Sequence, residues 1–289
     1  MLPLLIASLL AQGTAPGAGL EARLHATIAA SGAEVALAYR TLDGRDQVLI
    51  DPDKSFHAAS TMKVPVMIEL FRQAAAGRLA LDEALPIRNE FHSIVDGSPY
   101  TLNEGDDSDK DVYAAAGRTM TLRRLCEAMI TVSSNFAANL LIERLGVDNI
   151  RRTVTALGAD GMQVVRGVED QKAFDKGLNN TTTARGLQVL LDRIAAGRAV
   201  DARSDAEMIA ILERQRLSPD AIAAGVPPGT VVAHKTGNIT RIHHDAAIVY
   251  APRPYVLVVL VRGIEDTSKS AALMAALSKT VYESATARP

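Results

Sequence analysis

Apolar positions recur at two periods along this chain, and the change between them outlines its architecture. A helical spacing over Leu20 to Ser31 is followed by alternating, strand-like runs at Glu34 to Leu42 and Gln47 to Ile50, with Asp43-Gly44 as the turn between them. From Ser60 to about Ala224 the pattern is mainly helical, with helices expected over Thr121 to Thr131, Phe136 to Leu145 and Thr183 to Ala196. Strand character returns at Val231 to Ala233 leading into Lys235, at Ala246 to Tyr250 and at Tyr255 to Val261, the last two joined by the turn Ala251-Pro252-Arg253-Pro254. A final helix is expected from Thr267 to Ser284. Two early and three late strands predict one five-stranded antiparallel sheet flanked by the terminal helices, an α/β protein of the α+β type. The expected division is a leader over 1–19, a sheet domain from 20–59 and 225–289, and a mainly helical domain inserted at 60–224.

Composition narrows the function class. At 289 residues and 48% hydrophobic content the chain can bury a large core. A net charge of −2 lacks the basic balance of a nucleic-acid binder, so no nucleic-acid partner is expected, and a monomer is. The apolar run Leu2 to Ala11, followed by small residues to Ala18, reads as a secretory signal too short to span a bilayer, which predicts a periplasmic or secreted protein. The single cysteine, Cys126, shares a helical face with Leu122, Leu125 and Met129 and reads as a buried small hydrophobe. No internal repeat is apparent.

The chemistry lies in three short motifs in fixed order: Ser60-Thr61-Met62-Lys63, Ser133-Ser134-Asn135 and Lys235-Thr236-Gly237. Val64, Met67, Ile68 and Leu70 place Ser60 near a helix N-terminus, and Pro65 falls early enough to cost no interior hydrogen bond. Lys63 then lies one turn after Ser60 on the same face, where an amine of lowered pKa can take the hydroxyl proton. Ser133 or Asn135 could instead simply cap the helix expected near Phe136. Lys235, Thr236 and Gly237 on one strand suit a carboxylate docked along the strand edge, or else protect an exposed edge.

Other arrangements fit less well. No Gly-x-Ser-x-Gly elbow occurs. His57 stands three residues before Ser60 and reads as structural. His243 and His244 are adjacent on a strand, so they should point to opposite faces and not share a metal; neither a metal nor another cofactor is called for.

The three motifs together resemble those of the penicillin-recognising serine enzymes, and within them the class A β-lactamases. The similarity extends to Thr119-Met120-Thr121-Leu122, Met129 to Ser133, Ala137-Ala138-Asn139-Leu140-Leu141 and Thr181-Thr182-Thr183-Ala184. It implies a β-lactamase/transpeptidase-like fold and a small-molecule β-lactam substrate. By that resemblance Ser60 is the nucleophile, Lys63 its base and Ser133 the proton donor to the leaving nitrogen. Asn135 binds the substrate's amide side chain, while Lys235 and Thr236, with Gly237 beside them, hold its carboxylate. The backbone N–H groups of Ser60 and Asn238 form the oxyanion hole, and Arg241 is a further possible carboxylate contact.

A deacylating glutamate separates β-lactamases from penicillin-binding relatives, and Glu169 is the candidate. It follows Arg166 by three residues where the family pattern has two, and Ala173 stands where the pattern has asparagine. Asn179 or Asn180 could supply the missing amide contact, and Asp170 and Asp175 are rival bases. Ser134 replaces a common aspartate, and Tyr100 either lines the pocket mouth or packs in its loop. The alternatives to a β-lactamase are a penicillin-binding or D-alanyl-D-alanine peptidase-like enzyme and a noncatalytic β-lactam sensor.

Overall fold

The computed structural model describes residues 16–287, so residues 1–15 of the expected leader lie outside the described residues. The first helix, α1 (Pro16–Ser31), starts earlier than the apolar spacing suggests. A proline is tolerated in a first turn because its missing N–H would have no partner there. Strands β1 (Glu34–Thr41) and β2 (Gln47–Ile50) follow. The helical region contains α2 (Lys63–Ala75), α3 (Leu122–Thr131), α4 (Asn135–Leu145), α5 (Val147–Leu157), α6 (Ala184–Ala195) and α7 (Ala202–Leu212). The chain closes with β3 (Val231–Ile239), β4 (Ile242–Tyr250), β5 (Tyr255–Arg262) and α8 (Thr267–Thr286).

The five strands form one antiparallel sheet in the order β2-β1-β5-β4-β3. Its two faces are both apolar, as the period-2 alternation requires for a sheet covered on each side. Val35, Leu37, Tyr39, Tyr255, Leu257 and Val259 pack toward α1 and α8, where Leu20, Leu24, Met274 and Leu277 complete one core. Ala36, Ala38, Ala246, Ile248, Val256 and Val258 face the other way and join the core of the helical region. The helices and the sheet therefore share apolar contacts at the seam where the three motifs lie.

Helix α2 is buried from Lys63 through Phe71, which makes it the axis of the helical region. It begins later than the sequence suggests: Ser60 lies in a short 3-10 turn, Ala59–Met62, that leads into it. Two other helices start one residue after their expected first position for a shared reason. Thr121 and Thr183 are caps, their hydroxyls accepting from Arg124 N at 3.2 Å and Gly186 N at 3.0 Å. Cys126 is buried, and desolvation pushes its thiol up to about 12.

Candidate active site

Ser60 is half-buried where two cavities of about 390 and 410 Å³ meet, and Asn135 and Asn238 line both with it. Ala59, immediately before it, has φ +45°, a conformation that costs a residue bearing a Cβ about 1–2 kcal/mol. Ser133 (φ +58°), Glu169 (φ +63°) and Ser218 (φ +50°) line the same cavities in the same unfavourable region. Such concentration of backbone strain marks a place where surrounding structure dictates geometry for a purpose other than stability.

Lys63 emerges from the first turn of α2 fully buried. Its Nζ donates to Ser133 O at 2.6 Å, Asn135 Oδ1 at 2.8 Å and Ser133 Oγ at 3.1 Å. Lost solvation lowers its pKa from 10.5 to about 7, against the opposing pull of Asp107 and Glu169. Lys235, on β3, approaches from the other side and donates to Ser133 Oγ at 3.0 Å and Thr236 O at 2.8 Å. Burial, and then the nearby Lys63, hold its pKa well below the usual lysine range. The Ser133 hydroxyl is thus flanked by two buried amines, either of which can exchange a proton with it.

Neither Ser133 nor Asn135 caps the helix that follows. Ser134 does, its Oγ accepting from Ala137 N at 3.2 Å. Asp107, a buried carboxylate on a preceding loop, adds a second anchor. Its oxygens accept from Asn135 N at 2.9 and 3.1 Å and from Phe136 N at 3.0 Å, where the helix N-terminus favours negative charge. Ser134 and Asp107 together leave Ser133 and Asn135 free to face the cleft.

Glu169 reaches the same cluster despite its irregular spacing. Asn135 Nδ2 donates to Glu169 Oε1 at 2.9 Å, so Asn135 bridges Lys63 and Glu169. The carboxyl is open to the cleft on one side, and partial loss of solvation on the other raises its pKa. The loop that carries it is closed at its base by paired backbone bonds between Gln163 and Thr181. Asn180, one of the two expected amides, accepts from Val165 N at 2.8 Å and Arg166 N at 3.2 Å and donates to Arg166 O at 3.0 Å. Asn179 accepts from Arg166 Nη2 at 3.0 Å. Asn139 of α4 clamps Val168, accepting from its N at 2.7 Å and donating to its O at 3.0 Å.

The rival carboxylates are otherwise engaged. Asp170 is buried and accepts from Ser93 Oγ, Ile94 N and Ala173 N at 2.8, 2.9 and 3.1 Å. Asp175 is exposed and accepts from Gln171 Nε2. Tyr100 packs against Phe91 and bonds Val168 O, so its ring supports the loop behind the cleft. His57 uses Nδ1 to accept from Ala59 N at 3.0 Å, a structural task that helps hold the turn before Ser60.

On β3, Gly237 must be glycine for a reason of space. A Cβ there would stand 2.9 Å from Ser60 N and 3.1 Å from both Ala59 Cβ and Thr61 N, so the strand runs directly against the turn carrying Ser60. Asn238 follows on the cleft wall. Arg241 departs from expectation. It occupies the exposed turn between β3 and β4 with φ +59°, and its Nη2 donates to Gly263 O at 3.4 Å. It lines a surface hollow with Gly32, Glu34 and Arg262, and neither of the two cavities that Ser60 lines includes it.

His243 and His244 do face opposite ways: His243 lies near Ser218 Oγ and Ser270 Oγ, and His244 bonds His57 O and Val261 N. Sequence reasoning did not single out Asp107, Asn139 or Ser218, since each matters through a contact distant in the chain.

The Beta-lactamase enzyme family matches this chain over residues 19–285. A beta-lactamase of Amycolatopsis lactamdurans is 29% identical over 231 residues, covering 78% of this chain and 72% of that protein. A class A beta-lactamase from Bacteroides cellulosilyticus superposes with TM-score 0.81 at 22% identity, covering 96% and 100% of the two chains. PBP-A superposes with TM-score 0.79 at 25% identity, covering 92% and 95%. Since the match runs from the first turn of α1 to the last of α8, the chain belongs to the beta-lactamase enzyme family.

Proposed function

We propose that this protein is a serine β-lactamase that opens the β-lactam amide through an ester on Ser60 and releases it with water. The observation that carries this reading is the bridge Lys63–Asn135–Glu169, which brings a candidate acylation base and a candidate deacylation base to one side chain beside Ser60. Neutral Lys63 takes the Ser60 proton as Oγ attacks the lactam carbonyl. The backbone N–H groups of Ser60 and Asn238 stabilise the oxyanion where β3 abuts the turn. As the C–N bond breaks, Ser133 gives its proton to the ring nitrogen and regains one from the Lys63 ammonium. Glu169 then takes a proton from a water that attacks the ester, and that proton passes to Ser60 Oγ as the acid leaves, restoring the Glu169 carboxylate.

Lys235 and Thr236 serve the substrate carboxylate, whose charge would draw Lys235 back toward its ammonium form. Asn135 receives the amide side chain from the Glu169 side of the cleft. Arg241 has no part, given its position beside Gly263. Export to the periplasm or beyond belongs to the same reading and rests on the apolar run Leu2 to Ala11; monomeric action is proposed with it. Among the described residues no helix is long and apolar enough to cross a membrane. The division into a sheet domain and an inserted helical domain at 60–224 is likewise proposed.

A second reading, a penicillin-binding or D-alanyl-D-alanine peptidase-like enzyme, draws on the superposition with PBP-A. Benzylpenicillin mixed with the purified protein separates the two. Following ring opening and intact mass together, the β-lactamase reading expects many turnovers with only a transient adduct, no adduct in Ser60→Ala, and a lasting adduct in Glu169→Gln. A lasting adduct on the unaltered protein with little ring opening would establish the second reading instead.

A further inference from the structure

The wall of the cleft beside Thr236 poses an electrostatic problem that the proposed β-lactamase reading leaves open. A carboxylate is to dock there, yet the residues lining this cavity include no cation and one anion, Asp106. Arg241 lines another hollow, and Lys235, the amine assigned to the carboxylate, is fully buried and donates to Ser133. What the wall does offer is Ser218, half-buried on the loop before β3 and held at φ +50°.

Ser218 belongs to a line of polar groups running from the cleft through the sheet. Thr236 Oγ1 lies 3.1 Å from Ser218 Oγ and also 3.1 Å from His244 O. A carbonyl only accepts, so the Thr236 proton has an inward partner in the free protein. Ser218 Oγ lies 3.2 Å from His243 Nε2, and His243 Nδ1 lies 2.8 Å from Ser270 Oγ on α8. His243 and Ser270 are both buried.

We propose that Ser218 is a contact for the substrate carboxylate and that His243 is the positioning residue that sets the direction of its hydroxyl. With His243 neutral and its Nδ1 proton on Ser270, Nε2 accepts the Ser218 proton, which then points away from the substrate. With His243 protonated, Nε2–H donates to Ser218 Oγ, and the Ser218 proton is free to turn to the carboxylate. A positive charge then stands one hydroxyl behind the anion. No bond between heavy atoms changes; one proton from solvent forms the Nε2–H bond of His243 as the carboxylate binds.

The groups around His243 define its titration. Asp245 on its own strand is paired with His234 at 2.9 Å and accepts from Ile222 N. Asp220 acts from the Ser218 loop, and α8 contributes the neutral Ser270 and the Thr267 backbone. His244 lies on the other face of β4 and is held neutral by burial. Burial outweighs both aspartates and keeps free His243 below the usual histidine value, so a bound carboxylate is what draws it toward the charged form.

The test compares a penicillin bearing its free carboxylate with the methyl ester of the same compound. KM and kcat are measured from about pH 5 to 8 in the unaltered protein, Ser218→Ala, His243→Gln and His243→Leu; equilibrium binding is measured in Ser60→Ala and in each of these changes combined with it. For the free acid, affinity should rise as pH falls in the unaltered site, and Ser218→Ala and His243→Leu should weaken it about tenfold and flatten the dependence. His243→Gln, whose amide donates to Ser218 at every pH, should restore affinity without restoring the pH dependence. The ester should show none of this, and kcat should change little. Equal losses for acid and ester, or a pH dependence that survives His243→Leu, would overturn the inference. Absent turnover by the unaltered protein would defeat the β-lactamase reading alone, because the binding series in Ser60→Ala still tests the carboxylate contact.

Discussion

Lys63 shows how a single side chain turns burial into chemistry. A lysine in water is protonated at neutral pH and is no base, whereas desolvation brings Lys63 to about 7 and gives a substantial neutral fraction there. The sign follows directly: the amine form is lost as pH drops, so acylation, read as pre-steady-state adduct formation on Ser60, should fall about tenfold per unit once well below pH 7. An acylation rate flat down to pH 5 would show that Lys63 does not accept the proton. Gly237 illustrates space instead of charge. Gly237→Ala places a methyl group 2.9 Å from a backbone nitrogen that cannot rotate aside, so β3 must shift from Ser60. Acylation is expected to slow at least about a hundredfold, comparable to losing an oxyanion donor, with little change in fold by circular dichroism.

At the scale of elements, the cleft is assembled by helix starts and one closed loop. Asp107 joins a loop to the N-terminus of α4 through Asn135 N and Phe136 N. Asp107→Ala should destabilise the protein by about 1–3 kcal/mol in denaturant titration, since one buried and one half-buried donor lose their acceptor. Activity should fall further than stability, because Ser133 and Asn135 lose their fixed positions; equal retention of both would refute this role. The sequence made the helix over 135–145 legible through its apolar spacing and made Ser133 and Asn135 visible as a motif. It did not reveal that Ser134 and Asp107 do the capping, since Asp107 acts from far away in the chain. The Glu169 loop has the same lesson. Its residue spacing departs from the family pattern, and only the bonds of Asn180 to Arg166 and of Asn139 to Val168 explain how Glu169 still arrives at Asn135.

For the whole molecule, the shared seam between sheet and helices buries titratable groups whose neutral forms the fold requires. His244 on β4 holds His57 O at 2.9 Å and Val261 N at 3.2 Å, joining the sheet to the chain just before Ser60. Its pKa is lowered from 6.5 to about 4, chiefly by burial. The unfolded chain therefore binds the extra proton between those two values, and stability falls as pH drops through that window. His244→Gln, which can keep an amide donor toward His57 O, should reduce the difference in thermal midpoint between pH 7 and pH 4.5; an undiminished difference would assign the acid sensitivity to other groups. Lys63 works in the opposite range. The unfolded lysine keeps its proton between about 7 and 10.5 while the folded one sheds it, so its burial opposes folding most strongly below pH 7 and ceases to do so above 10.5.

What the sequence determined by itself were the features written in neighbouring residues. The period of apolar positions defined the five strands and the principal helices, because side chains at spacing 2 or 3.6 must share a face. The three motifs identified three hydroxyls, two lysines and an amide as candidate chemistry, because local spacing fixes which residues can share a turn or a strand. The sequence offered Glu169 with Asp170 and Asp175 as rivals, and the tertiary structure decided that Glu169 meets Asn135 while the two aspartates bond elsewhere. Tertiary structure also placed Arg241 outside the cleft and set Ser218 against His243 there. Contacts between groups far apart in the chain depend on how layers pack, and desolvation, which sets the lysine and histidine charges, exists only once that packing has formed.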